Sequence, residues 1–442
     1  MRNPKSYRAA WAIVPAALLL LTGCGGKSGP KTPVRGDRTS ILGTNNVLAV
    51  DDSVASQAVT LPPPVVNAAW AQSGGNASKA IGHVALGDNV QQAWSTSVTG
   101  GSSRARLAAA PVVAGGKLFV IDTDATVYAF DAKTGARIWS TSIRSANQPS
   151  QVQFGGGVSV EGDRVFATSG AGSVAALNVA DGSELWKVQP GGPLRGAPTL
   201  SNGNAYVMSQ DNQLFALAQA DGAVVWTDSG TLETTGVFGV GAPAAAQGSV
   251  IAGYSSGELT AYRYENGRAL WGDALSRTSI STSVAMLTDI DADPVIDRGR
   301  VFAIGEGGRM AAYELVSGQR LWELNIGGIA TPLVVGDWVF VVTDKSQLLA
   351  ITRTTGKIRW ISDLPAWRKP KKKTGPIRWR GPVLAGGELI LVSTEGAMAF
   401  VDPATGNVQQ ERDLDQSISL PPIVADNMLY VLTDEGRILA YR

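Results

Sequence analysis

The stretch APVVAGGKLFVIDTDATVYAFDAKTGARIW, running from Ala110 to Trp139, decides the fold. It reads as a strand through Pro111, Val112 and Val113, a turn at Gly115-Gly116, and a second strand through Leu118, Phe119, Val120 and Ile121. A third strand follows from Val127 to Asp131, then a turn at Thr134-Gly135 and a fourth strand that ends on Trp139. β-Branched and aromatic runs of this length, punctuated by Gly and Asp, are strand and turn chemistry. Four strands in about 45 residues match one blade of a β-propeller.

The same stretch recurs along the chain. Tryptophan follows a turn glycine by four residues at Trp139, Trp186, Trp226, Trp271, Trp322 and Trp360. Alanine precedes each by ten, at Ala129, Ala176, Ala216, Ala261, Ala312 and Ala350. Proline opens the copies at Pro111, Pro198, Pro243, Pro294, Pro332 and Pro382, with Val158 in its place in the second. Proline suits a strand start because it has no N–H to give the ladder. The small alanine reads as room for the indole of a nearby strand or blade. In the seventh copy Phe400 takes the alanine position and Gln410 the tryptophan position, which reads as a volume exchange at one contact. The eighth copy reaches Ala440, Tyr441 and Arg442 without a fourth strand, and the run around Trp94 supplies it from the other end. The predicted fold is all-β: an eight-bladed propeller of four-stranded antiparallel blades over 67–442, closed by an N-terminal strand. Closure removes two exposed sheet edges. The tryptophans, Trp94 included, follow the blade period and read as structural.

Composition agrees and narrows the function. Hydrophobic residues make up 44% and charged residues 17%, with 52 glycines, as short strands and tight turns require. A net charge of +1 gives no electrostatic reason to expect nucleic acid. There is one histidine, His83, so a His-rich metal site is excluded, and no serine carries a nucleophile signature. Acids such as Asp131 and Asp402 sit in turn positions and suggest no Ca²⁺ cluster. No catalytic residue, metal or cofactor is expected, and the chain is read as a non-enzyme.

The N-terminus reads as an export signal over 1–23. Arg2, Lys5 and Arg8 precede an apolar run from Ala9 to Leu21, too short for a comfortable membrane span and broken by Pro15. It ends Leu21-Thr22-Gly23-Cys24, where Cys24 is the sole cysteine. Residues 24–66, rich in Gly, Pro and polar residues, read as a flexible tether.

Leu21 to Cys24 resembles a bacterial lipobox, which implies cleavage before Cys24 and its acylation. Gly25 stands where an Asp would imply inner-membrane retention, so the resemblance implies the outer membrane. The phased Ala–Gly–Trp repeat, over about Trp70 to Arg442, resembles the quinoprotein-like propellers. Lipobox and propeller together resemble the BamB family of outer-membrane protein assembly lipoproteins. Leu194-Arg195-Gly196 and the Asp289-x-Asp291 motif match two loops through which that family contacts the periplasmic domains of the BamA subunit. Both precede the first strand of a blade, so both should lie on one rim. The resemblance implies partner-binding roles for Leu194, Arg195, Asp289 and Asp291. The aspartates would pair with basic groups across the interface or orient Arg195 within the propeller. Gly192 stands where the family often has a further leucine. Unfolded β-barrel clients are a second implied partner, held at rim loops or blade edges.

Two other readings stay open: a periplasmic quinone-dependent dehydrogenase, against which the missing adjacent cysteines count, and a generic envelope adaptor. Arg368-Lys369-Pro370-Lys371-Lys372-Lys373, between Trp367 and Trp379, stands outside the repeat. It reads as a solvated loop or as a contact for lipid headgroups or an acidic partner.

Overall fold

The computed structural model describes residues 48–88, 90–102, 105–145, 154–232, 241–275 and 288–442. The expected signal, Cys24 and the tether up to residue 47 lie outside the described residues. Eight four-stranded sheets form the blades of the propeller. Seven are continuous, spanning 112–142, 156–188, 199–229, 244–274, 295–324, 333–363 and 379–413. The eighth joins Ile423–Ala425, Met428–Leu432 and Arg437–Tyr441 to the N-terminal strand Gln92–Ser97. The closing register pairs Trp94 with Ala440 and Ser97 with Arg437.

The sequence pattern has a direct structural cause. In six blades the repeat alanine and tryptophan are cross-strand neighbours, from Ala129 opposite Trp139 to Ala350 opposite Trp360. A β-bulge falls beside each of these pairs, and the residue before the tryptophan has no opposite number. Such a bulge twists an outer edge and blunts it against further pairing. The indole then crosses to the next blade. Trp94, Trp139, Trp186, Trp226, Trp271, Trp322 and Trp360 each donate Nε1–H to a carbonyl there, at 2.8–3.1 Å. Each ring also lies on the glycine of the next blade's last turn. A Cβ on Gly182 would sit 2.5 Å from Trp139, and one on Gly406 would sit 2.6 Å from Trp360.

This geometry explains the seventh blade. The last two strands of the eighth blade come from distant parts of the sequence, so no glycine turn joins them for an indole to cover. Phe400 does face Gln410. The joint is polar instead: Arg412 lies over the Phe400 ring, 5.5 Å from its centroid, and donates to the Val90 carbonyl. The volume exchange is therefore one local sign of a missing docking turn.

Residues 48–66, expected as free tether, lie against the propeller. The Asp51 amide donates to the Ile358 carbonyl and Val54 is buried. His83 clasps this segment: Nδ1–H donates to the Pro62 carbonyl at 2.8 Å and Nε2 accepts from the Gly387 amide at 3.0 Å. Both ring nitrogens are thus used structurally. Residues 67–84 then run from blade to blade along the innermost strands. Asn67 bonds the eighth blade, Trp70 the first, Ala71 the second and Gln72 the third. Ala77, Ser78 and Val84 bond the fourth, fifth and seventh. The segment forms a plug across the axis. It lacks strand periodicity because it is held mainly through backbone groups, which any sequence supplies.

Candidate functional site

The blade-to-blade connections opposite the plug carry both motifs. The Leu194 backbone bridges Ser209, and its side chain is buried with Val174, Val207, Phe215 and Leu217. This packing fixes the direction in which Arg195 leaves the chain. The Arg195 amide donates to the Met208 carbonyl, and its carbonyl accepts from Gly156. Its side chain crosses the fourth blade to reach the connection into the fifth. Nη1 donates to the Gly253 carbonyl at 3.4 Å, and Nη2 donates to the Ile290 carbonyl at 3.4 Å and to Asp291 Oδ1 at 2.9 Å. Only 1% of the Arg195 side chain and 8% of Asp291 are exposed.

The two motifs therefore meet, but within the molecule. An Arg195 that reaches outward from the rim is not what the structure contains. A buried guanidinium needs carbonyl and carboxylate partners, and the connection at 289–291 supplies them. Of the two roles left open for the aspartates, Asp291 takes the internal one. Asp289 is also fully buried, and its carbonyl accepts from the Glu306 amide at 2.9 Å. Burial pushes the Asp291 carboxyl up to about 6; Asp289 adds to the rise and Arg195 opposes it. What remains at the surface is the backbone that these groups hold, with Pro193 exposed and Gly192 and Thr288 half-buried.

Glu306 was not legible as a site residue, since it lies in a Gly-rich turn. Burial, with Asp291 and Asp289 nearby, raises its carboxyl to about 7, and its Oε2 is buried without a hydrogen-bond partner.

The basic run forms a two-stranded ribbon, Trp367–Lys369 against Thr374–Pro376, with a 3₁₀ turn at Pro370–Lys372. Arg368 pairs with Glu395 at 2.6 Å. Lys369, Lys371, Lys372 and Lys373 are exposed, with no ion pair among the described residues. Trp379 is buried and donates to the Pro365 carbonyl, so it anchors the ribbon and offers no stacking face.

The family model described as outer membrane protein assembly factor BamB matches residues 84–152, 124–362 and 365–442. The chain belongs to the BamB family. The curated BamB of Yersinia pestis is 30% identical over 79% of this chain and 88% of its own length. That of Escherichia coli strain K12 is 29% identical over 78% and 87%. BamB from Moraxella catarrhalis, a solved structure, aligns with a TM-score of 0.68 at 17% identity, over 80% of this chain and 100% of its own. A quinohemoprotein alcohol dehydrogenase from Comamonas testosteroni aligns at 0.64 and 14% identity, over 85% and 80%, a likeness of fold. The donor set of this BamB family member does not fit a calcium-bound quinone. No group of three His, Cys, Asp or Glu among the described residues could hold a metal ion, and Cys24 is the sole cysteine.

Proposed function

We propose that this chain is a non-enzymatic accessory of outer-membrane β-barrel assembly. It is cleaved before Cys24, acylated there, and held at the periplasmic face of the outer membrane. Several acyl chains give stable anchoring, where one gives marginal binding. Its rim at Leu194, Arg195, Asp289 and Asp291 binds the periplasmic domains of a BamA-like subunit. The single observation that supports this rim is the buried Arg195–Asp291 pair, which locks two connections 96 residues apart in sequence into one surface. In this reading Arg195 and Asp291 are positioning residues, and Pro193 and Thr288 touch the partner. A fixed surface binds more tightly because less ordering remains to be done on association.

Clients meet the rim in preference to the blade edges, because the bulges beside the tryptophans disfavour strand addition. Photo-cross-linkers at Pro193 and at Thr288, in cells, test the assignment. Both should capture the BamA-like subunit, while one at Asn202, on an exposed turn at the other end of the third blade, should not. Capture from Asn202 alone would refute the rim.

A further inference from the structure

The ring encloses an axial cavity of about 380 Å³, within the size range of small-molecule sites. Its floor is the plug, through Trp70 and Ile81, and its walls include the strand-opening Pro111 and Pro332 with Leu107 and Leu420. These surfaces are apolar and fit a hydrocarbon or aromatic body. The polar groups differ in kind. Arg378 and Arg380 face the same cavity, as do Lys79 and the carboxyl groups of Asp291, Asp293 and Glu306. Arg380 is largely buried; its Nε donates to the Ser419 carbonyl at 2.8 Å and its Nη1 to the Trp379 carbonyl at 3.5 Å. It forms no ion pair among the described residues. Arg378 donates to the Asp344 carbonyl at 3.2 Å. Burial disfavours the charge on Arg380 most and the nearby Arg378 guanidinium adds to this, while Asp434, Asp291 and Glu306 favour it from a distance without forming an ion pair.

A buried cation without a directly paired carboxylate is costly, and most proteins supply one in contact with it. Here the protein's own carboxylates act on Arg380 only at longer range, and the place in direct contact with it is left to a group from outside. We propose that the axial cavity binds a small amphiphilic carboxylate, its head on Arg380 and Arg378 and its apolar body between the strand-opening prolines and Trp70. Guanidinium recognises a carboxylate through paired, charge-assisted hydrogen bonds. The protonated form of Glu306, whose Oε2 has no partner, adds a donor to the same head.

The probe is decanoate, with decan-1-ol as the same chain without the charge. Isothermal titration uses the full chain carrying Cys24→Ser, so that no acyl group of its own competes. Decanoate should bind with one-to-one stoichiometry, and the alcohol about tenfold or more weaker, as loss of a charged hydrogen bond predicts. Arg380→Gln should weaken decanoate by about tenfold and leave the alcohol unchanged. Arg378→Gln, at an exposed position that folding tolerates, should weaken it in the same direction and keeps the test open if the Arg380 variant fails to fold. Equal binding of acid and alcohol, absence of saturable decanoate binding, or full affinity in both arginine variants would overturn the proposal.

Discussion

Replacing Arg195 by Met keeps most of the side-chain volume and removes the charge that Asp291 faces. At pH 8 this leaves a buried carboxylate without its partner, and breaking a buried pair in this way costs about 3–5 kcal/mol. The cost depends on pH with a definite sign. The Asp291 carboxyl is already raised from 3.8 to about 6, so the folded state holds its proton more tightly than the unfolded chain. Such a group destabilises the fold progressively as pH rises through that window. Arg195 opposes the rise, so its loss moves the folded value higher and widens the window upward. At pH 5 Asp291 is then neutral in the variant. What is left is the loss of the bonds to the Gly253 and Ile290 carbonyls, about 1–2 kcal/mol. Adding Asp291→Asn removes the stranded charge and should recover about half or more of the pH 8 cost. Urea unfolding of the two single variants and the double variant, at pH 5 and pH 8, measures all of this. An Arg195→Met cost equal at both pH values, or single costs that simply add, would refute a charge-paired lock. Binding to the BamA-like subunit should fail in Arg195→Met at pH 8 and return with the double variant.

Gly182→Ala should cost about 2–5 kcal/mol, since Gly182 has φ +73° and its new Cβ would sit 2.5 Å from Trp139. Gly203→Ala, at φ +74° with nothing within 4 Å, should show the backbone part alone, about 1–2 kcal/mol; equal losses in the two variants by thermal melting would contradict the joint. Gln410→Trp should change stability by less than about 0.5 kcal/mol, because no glycine turn awaits its indole; a gain as large as that of a full joint would reverse this reading. Glu306→Gln should stabilise the protein by about 1–2 kcal/mol at pH 8 and not at pH 4, because Glu306 titrates at about 7 when folded and penalises the ionised state; a flat difference across that range in urea unfolding would oppose it. Changing Lys369, Lys371, Lys372 and Lys373 to Gln should abolish retention on anionic liposomes at low salt, if the ribbon meets headgroups; unchanged cosedimentation would leave it a solvated hairpin.

The blades were legible because their signals are local. A strand alternates with period two, a turn needs glycine, and one bulge places tryptophan ten residues after its alanine, as at Ala129 and Trp139. The closing strand was legible because Trp94 belongs to that same register. The internal use of Arg195 was not. It depends on Gly253, Ile290 and Asp291, and nothing in the sequence near Leu194 states how far the side chain travels. The plug was illegible for a different reason. Its bonds run mostly through backbone groups, so residues 67–84 carry no periodic mark. Glu306 and Arg380 acquire meaning only from the cavity that other blades enclose. His83 could have been read as a satisfied structural histidine once its neighbours were known, and that knowledge is tertiary.

The strand Gln92–Ser97 leaves the synthesis machinery long before its partner Arg437–Tyr441 exists. Until then it has an unpaired side and an indole with nothing beneath it but the first blade. The first seven blades can form in order of appearance, each resting on the one before, because their contacts are short in sequence. The last step is a closure over nearly the whole propeller sequence, and its entropic cost grows only slowly with loop length although long-range contacts fold slowly. The plug must follow the same schedule, since Asn67 bonds the eighth blade. The propeller is therefore sealed, and its axial cavity given a floor, only after the final strand arrives.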